Sequence, residues 1–161
     1  MQSARICPII AVMIRRAKIS DADEILQLIN FNADAGLMLA RSAYDVYKNI
    51  TNFFVFESDG HVAGCARISV VWKDLVEIMS LAVQADFQRQ GIGRKLVDAC
   101  VDEVRRLKIP RAFTLTYQSE FFSKCGFREI ARETLPYKIF GECLHCPKVE
   151  CCDEKAFVIS V

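Results

Sequence analysis

The spacing of hydrophobic and polar positions along the chain predicts helices at two main places. Apolar residues recur at Ile25, Leu28 and Ile29, and again three or four positions apart across residues 94–108. This spacing is typical of helices that bury one face. Ser20 is expected to cap the first helix, because a serine oxygen accepts hydrogen bonds from the first backbone amides. Two shorter helices are predicted at residues 43–47 and 119–125.

Runs of β-branched and aromatic residues predict strands between these helices. Residues 53–56 and 62–71 flank Asp59-Gly60, a dipeptide that favours a tight hairpin turn. Residues 76–83 are almost continuously apolar, as expected of a strand in the middle of a sheet. Further strands are predicted at residues 14–17, 112–117, 127–131 and 156–161. This order indicates an α/β (α+β) fold whose mixed sheet is mostly antiparallel and flanked by helices.

The length of the chain agrees with one domain of ordinary size, and its charge excludes one class of function. We assign residues 14–161 to that domain and residues 1–13 to an N-terminal extension. The 21 basic and 20 acidic side chains give a net charge of +1, which excludes the strongly basic surface typical of nucleic-acid-binding proteins. The mean hydropathy of +0.18 is high for a soluble monomer and is compatible with a homodimer.

The N-terminal residues do not favour export or a membrane anchor. An apolar run at residues 6–14 has about the length of a signal-peptide core, but no small-residue cleavage site follows it. Arg15, Arg16 and Lys18 follow instead, and the run is too short to cross a bilayer. We therefore expect a cytoplasmic protein with reduced thiols and no membrane partner.

The eight cysteines divide into two groups. Cys65 and Cys100 fall on apolar positions and are interpreted as small core residues. One pair near the C-terminus has the two-residue spacing of half a zinc site, with His145 inside it, so zinc is an alternative there. A cluster of reduced thiols is the favoured interpretation, and no metal is assigned. The clustered cysteines are Cys143, Cys146, Cys151 and Cys152.

Residues 88–93 join the central strand to the long helix and contain two glycines. Glycines at such a junction let backbone N–H groups approach a ligand without interference from a Cβ atom. The helix N-terminus adds the positive end of its dipole, so the junction favours a diphosphate. On spacing alone, a simple tight turn explains the loop at least as well. A dinucleotide fingerprint is excluded because its third glycine is missing, and a P-loop because no Gly-Lys-Ser/Thr follows.

The segment Gln88-x-x-Gly91-x-Gly93 nevertheless resembles the acetyl-CoA motif of the GNAT N-acetyltransferases. An aromatic helix followed by Gly126-Phe127 matches a second element of that family, and the resemblance extends over about residues 14–161. It implies the GNAT fold and acetyl-CoA as co-substrate.

In the family, backbone groups of the central strand contact the pantetheine arm and the thioester oxygen, and the glycine loop holds the pyrophosphate. By this resemblance we assign a set of residues to the cofactor site. They are Leu81, Ala82, Val83, Gln88, Arg89, Gln90, Gly91, Ile92, Gly93 and Phe122.

A narrower resemblance is to the stand-alone acetyltransferases of the N-acetylglutamate synthase type. It rests on Leu135-Pro136, on Cys143-x-x-Cys146-Pro147 and on residues 30–42, 77–83 and 115–117. Those short enzymes lack an amino-acid-kinase-like domain, and a chain of 161 residues is expected to lack it as well.

The resemblance also implies catalytic roles. Glu77 on the central strand resembles the family's general base, which takes a proton from the attacking amine directly or through a water. A solvated glutamate at the start of a strand is the alternative. Many family members carry a tyrosine where this chain has Phe122, so the usual proton donor to the leaving thiolate is missing. Tyr117 is a candidate for that role, and water is another because thiols are fairly acidic.

A glutamate site requires cations, because glutamate brings two carboxylates. Arg41 and Lys138 lie in segments that match the synthases and are expected to bind the substrate, with Arg67 less strongly supported. The implied reaction is acetylation of the α-amine of L-glutamate or a related amino acid, the first step of arginine biosynthesis. The alternatives are a GNAT enzyme for another amine, such as a polyamine or a protein lysine, and a non-catalytic module that binds acetyl-CoA or metal.

Overall fold

One sheet of seven strands organises the fold. The computed structural model of the chain describes residues 13–135, 143, 146–148 and 151–161. The strands lie in the order β1-β2-β3-β4-β5-β7-β6, and every neighbouring pair is antiparallel except β4 and β5, which run parallel. This confirms the mostly antiparallel mixed sheet. The strands are β1 (Met13–Arg16), β2 (Phe53–Ser58), β3 (His61–Trp72), β4 (Leu75–Val83), β5 (Arg111–Thr116), β6 (Arg128–Ile130) and β7 (Lys155–Ser160).

Helices cover both faces of the sheet. On one face α1 contributes Ile25 and Ile29 to a core that also buries Cys65. On the other face α3 contributes Leu96 and Cys100 to the larger core. Both cysteines are fully buried, as predicted. The helices are α1 (Ala22–Asp34), α2 (Ala43–Lys48), α3 (Ile92–Arg106) and α4 (Ser119–Lys124).

Two helix starts differ from the sequence prediction. Ser20 does not cap α1 but lies in a short 3-10 turn at Ile19–Asp21. Asp21 organises this turn instead, because its carboxylate accepts hydrogen bonds from the backbone of Lys18 at 2.7 Å and from Arg15 Nη1 at 2.7 Å. Helix α3 begins at Ile92, two residues earlier than expected, so that its first turn includes part of the glycine loop.

Strands β4 and β5 pair only briefly and then diverge. Their register is limited to Val76 opposite Ala112 and Glu77 opposite Phe113. Beyond this point Ser80 adopts a positive φ of 53°, and the ladder between β3 and β4 shifts by one residue. Such bulges bend a strand and increase its twist. The divergence opens a cleft in the middle of the sheet, and the second half of β4 borders that cleft.

None of the helices in the described ranges has both the length and the apolar composition that crossing a membrane requires.

Candidate active site

The cleft between β4 and β5 contains a cavity of about 130 Å³, here called the inner cavity. Glu77 enters it from β4, Tyr117 from the end of β5, and Arg41 from the loop before α2. A second space, the outer pocket, opens beside it toward the loop before α2. The two spaces share a wall made of Met38, Leu39, Arg41, Tyr117 and Glu154. Three of the residues predicted for catalysis and substrate binding therefore face one cavity.

Glu77 is held by the last paired position of the parallel ladder. It lies opposite Ser69 on β3 and Phe113 on β5, so its backbone is fixed from both sides. Side chains on β4 alternate between buried and partly buried positions, and Glu77 belongs to the partly buried set that faces the cleft. A carboxylate on a rigid strand, at the point where the sheet opens, is well placed to take a proton from a bound group.

The Arg41 backbone is fixed by a pair of hydrogen bonds. Its N–H donates to Asn30 Oδ1 at 2.9 Å, and its carbonyl accepts from Asn30 Nδ2 at 3.1 Å. The side chain is only 13% exposed, and its Nε lies 3.9 Å from Asp45 Oδ2. Arg41 thus brings a largely buried guanidinium to the wall of both spaces, where it can hold a carboxylate. Lys138 lies outside the described residues.

Tyr117 carries a phenol that stays protonated at neutral pH. Burial, and then the negative charges of Glu154 and Asp153, raise the pKa of Tyr117 to about 12. Lys148 Nζ lies 5.4 Å from the centre of the ring. The hydroxyl therefore keeps its proton over the whole neutral range, and the Asp153 side chain is a hydrogen-bond partner for it.

A groove continues from the inner cavity along β4 to the N-terminus of α3. Gly91 occupies the N-cap of α3 with a φ of 78°, a conformation that disfavours any residue with a Cβ. The first amides of α3 have no partner within the helix, and together with the dipole they attract anions. Gln88 supports this loop, because its Nε2 donates to the Val83 carbonyl at 2.9 Å.

Most residues assigned to the cofactor site line the groove, and some lie elsewhere. Ile92 is buried in the larger core, and the Gln90 side chain donates back to the Asp86 carbonyl at 2.9 Å. Phe122 is also buried but contributes to the wall of the inner cavity. The assigned residues that line the groove are Leu81, Ala82, Val83, Gln88, Arg89, Gly91 and Gly93.

Phe121, rather than Phe122, is the aromatic residue on the groove. Its ring lies against the first turn of α3, where a Cβ at Gly93 would come within 3.3 Å of two of its atoms. The glycine thus permits close contact between the two segments of the chain that carry the family resemblance. The sequence analysis assigned Phe122 to the cofactor site, whereas in the structure the adjacent Phe121 lines the groove.

Glu154 lines both the inner cavity and the outer pocket and was not predicted from the sequence. Burial is the main cause that raises the pKa of its carboxyl group, and the positive charge of Arg132 opposes this effect. It lies two residues after Cys152 and belongs to no motif, so the sequence offers no signal that would have identified it.

The cysteine segment contributes one thiol to the inner cavity, that of Cys143. Burial is the main cause that raises the pKa of this thiol, and the negative charge of Glu77 acts in the same direction. Within the described parts of the chain, no three or more histidine, cysteine or acidic side chains are arranged to hold a metal ion. His145 lies outside those parts, so the zinc alternative stays an untested prediction.

Comparison with known proteins decides the family. Residues 23–127 match the model of the Acetyltransferase (GNAT) family. The chain is a member of the GNAT acetyltransferase family. An uncharacterized N-acetyltransferase of Chlorobaculum tepidum is 39% identical to this GNAT domain over 90% of the chain and 94% of the relative. The amino-acid acetyltransferase of Mycobacterium tuberculosis is 35% identical over 81% of the chain and 76% of the relative.

Solved structures agree with the GNAT assignment. N-acetylglutamate synthase from Neisseria gonorrhoeae, complexed with coenzyme A and N-acetyl-glutamate, superposes with a TM-score of 0.83 at 28% identity. That match covers 92% of this chain but 35% of the synthase. The Rv2747 protein of Mycobacterium tuberculosis, solved in complex with CoA, gives a TM-score of 0.80 at 28% identity and covers 92% of this chain and 99% of that one.

These matches confirm the predicted GNAT fold and the enzyme class of N-acetyltransferase. The coenzyme A in both solved structures agrees with acetyl-CoA as the expected co-substrate. A non-catalytic binding module is correspondingly disfavoured.

Proposed function

We propose that this enzyme transfers the acetyl group of acetyl-CoA to the α-amino group of L-glutamate or a related amino acid. One observation carries the proposal: the Glu77 carboxylate and the Arg41 guanidinium line the same cavity, at the inner end of the groove that starts at α3. A base and a carboxylate-binding cation within one cavity are the groups that an α-amino acid requires. The relatives named amino-acid acetyltransferase support the same substrate class.

The groove fits acetyl-CoA. The first amides of α3, preceded by Gly91 in a left-handed conformation, offer donors and a dipole to the pyrophosphate. Because β4 leaves β5 after Glu77, backbone groups of Leu81 and Val83 border the groove and can pair with the amides of the pantetheine arm. This arrangement directs the thioester toward the inner cavity.

Glu77 would take a proton from the substrate ammonium, directly or through a water. The resulting amine nitrogen forms a bond to the thioester carbonyl carbon, and the carbon–sulfur bond breaks, so that CoA leaves as a thiolate. The acetylated nitrogen then loses its second proton to solvent, which leaves a neutral amide. A backbone N–H near Leu81 is the proposed donor to the carbonyl oxygen, which becomes negatively charged on the way.

Tyr117 would stabilise the leaving thiolate by donating a hydrogen bond. Its pKa of about 12 lies well above that of a thiol, roughly 8.5, so complete transfer of its proton to the sulfur is uphill. We therefore assign to Tyr117 the role of hydrogen-bond donor and to solvent that of the final proton source. Phe122, at the position of the usual tyrosine, carries no donor.

Arg41 would bind a substrate carboxylate, and Lys138 is proposed to assist it. With glutamate as acceptor, the reaction is the first step of arginine biosynthesis, and we propose that the enzyme acts in the cytoplasm. One observation favours a second candidate acceptor. Glu154 brings negative charge to the same wall as Arg41, which favours an amino acid with an uncharged side chain over a dicarboxylate.

A thiol-release assay with acetyl-CoA, run across the amino acids and the polyamines, tests the proposal. We expect release with glutamate or another α-amino acid and a fall of about 10²-fold in kcat for Glu77→Gln, the usual scale for loss of a general base. Glu129→Gln is the matched control, because Glu129 pairs with Lys155 on the exposed edge of the sheet. Turnover of polyamines alone, or an unchanged rate and pH profile for Glu77→Gln, would overturn it.

A further inference from the structure

Asp45 lies between two arginines, one of which faces the acceptor site. Its Oδ2 accepts a hydrogen bond from Arg67 Nη1 at 2.8 Å and lies 3.9 Å from Arg41 Nε. Asp45 itself belongs to the wall of the outer pocket. The carboxylate therefore accepts a hydrogen bond from a buried cation on one side and lies at ion-pair distance from the guanidinium proposed to bind the substrate on the other.

The position of the Asp45 carboxylate is fixed from several directions. Its backbone N–H donates to the Oγ of Ser42, the N-cap residue of α2, at 3.1 Å. Its Oδ1 accepts from Asn49 Nδ2 at 3.1 Å. The two cap residues of α2 thus hold Asp45, Ser42 through its backbone and Asn49 through its carboxylate. A fixed carboxylate restricts the rotamers of any guanidinium that it contacts.

Arg67 connects this group to the catalytic strand. Its side chain is 3% exposed, its Nη2 lies 3.0 Å from Met79 Sδ, and its guanidinium stacks 5.7 Å from the centre of the Phe53 ring. Met79 is two residues after Glu77 on β4, on the same face of the strand. The interactions of Met79, Arg67 and Asp45 therefore link β4, which carries Glu77, to Arg41.

We propose that Asp45, supported by Arg67, is a positioning residue that orients Arg41 for the carboxylate of the acceptor. The inference rests on the proposed function, since it requires an acceptor with a carboxylate. An arginine held in its binding orientation loses less conformational entropy when the substrate binds. Asp45 acts through Arg41 and does not itself bind the acceptor.

Steady-state kinetics of Asp45→Asn, which removes the charge and keeps the shape, test the inference. We expect the KM for the acceptor to rise about tenfold, with kcat and the KM for acetyl-CoA changed less than twofold, because only ground-state binding of the acceptor is affected. Asp102→Asn is the matched control, since Asp102 is exposed on α3 and pairs with Arg105. A merely structural role would change both KM values and kcat together.

A double-mutant cycle tests whether the effect passes through Arg41. Arg41→Ala alone should raise the acceptor KM more than Asp45→Asn does, and adding Asp45→Asn to Arg41→Ala should produce no further rise. Additive increases, or an unchanged acceptor KM in Asp45→Asn, would overturn the proposal. If the wild-type enzyme acetylates no amino acid at all, the proposed function fails instead, so the two failures are distinguishable.

Asp45→Asn leaves the buried Arg67 without this carboxylate and can destabilise the fold. The double variant Arg67→Met/Asp45→Asn removes both charges and should recover stability in thermal unfolding. We expect this variant to retain the raised acceptor KM, because Arg41 still lacks its carboxylate partner. Recovery of a wild-type acceptor KM together with stability would show that Asp45 supports only the fold.

Discussion

Glu154 gives the inner cavity a second carboxylate in addition to Glu77, and the two act in opposite directions on a substrate. Glu77 attracts the ammonium group that it is proposed to deprotonate, whereas Glu154 shares a wall with Arg41, where a substrate carboxylate is proposed to bind. At the scale of single residues, acceptor choice is therefore a balance between one cation and one anion.

Glu154→Gln should lower the KM for glutamate by about fivefold, because it removes a negative charge that repels the side-chain carboxylate. The KM for alanine, whose side chain is uncharged, should change little, and Glu129→Gln should change neither. Burial raises the pKa of Glu154, so its charge is lost at a higher pH than that of an ordinary glutamate, and the difference in glutamate KM between wild type and variant should shrink as the pH falls. An unchanged or higher glutamate KM in the variant at neutral pH would exclude this repulsion.

The sequence predicted site residues that belong to a motif, and did not predict those whose place at the cavity depends on three-dimensional contacts. Glu77, Arg41 and Tyr117 were predicted and face one cavity in the structure. Asp45 and Glu154 were missed, because their proximity to Arg41 and Tyr117 depends on how the loop before α2 and the segment before β7 fold over the cleft. Neither a periodic pattern nor a local spacing encodes such contacts.

At the scale of elements, the junction of β4 and α3 combines two conformational requirements. Gly91 must adopt a φ of 78°, and Gly93 must leave room for the Phe121 ring. The sequence predicted the loop and the helix but not that α3 begins at Ile92. Ile92 stands between two glycines of the loop, and only the structure shows that it is buried in the core. The early start directs the first amides of α3 toward the groove.

Gly91→Ala should destabilise the fold by about 1–2 kcal/mol, the cost of a Cβ in a left-handed conformation, and should also raise the KM for acetyl-CoA. Gly60 is a matched control, because it has a similar φ of 82° in the β2–β3 hairpin and, like Gly91, open space around it. Gly60→Ala should lose similar stability in urea unfolding and leave the KM for acetyl-CoA unchanged. Equal effects of both variants on that KM would assign the change to general destabilisation.

At the scale of the whole molecule, one carboxylate joins the edge of the sheet to the central helix. Glu103 of α3 forms ion pairs with Arg16 of β1 and with Arg106 of its own helix. In each pair the arginine Nη2 lies 2.5 Å from Glu103 Oε1. Arg16 also lies 4.8 Å from the centre of the Phe54 ring. Val70 and Leu107 are exposed near this region, and the expected homodimer stays a prediction.

Glu103→Gln should therefore weaken the whole fold in a pH-dependent manner. The hydrogen bond from Arg106, and then that from Arg16, lower the pKa of Glu103 to about 2, whereas an unfolded glutamate titrates near roughly 4.3. A lowered pKa stabilises the folded state above the unfolded value, and this contribution is lost as the pH falls through the folded value. The contribution is fully present at pH 7, about half of it remains at about pH 3, and little remains at about pH 2.

Urea unfolding of wild type and Glu103→Gln at pH 7 and pH 3 measures this contribution. The difference in unfolding free energy should fall by about half between the two pH values. Asp102→Asn, one residue away and 72% exposed, should show a small difference at both. If the difference in unfolding free energy between wild type and Glu103→Gln stayed constant with pH, the side chain would stabilise the fold by packing alone. A pH-dependent difference would mean that the charge of Glu103 stabilises the fold through its ion pairs with Arg106 and Arg16.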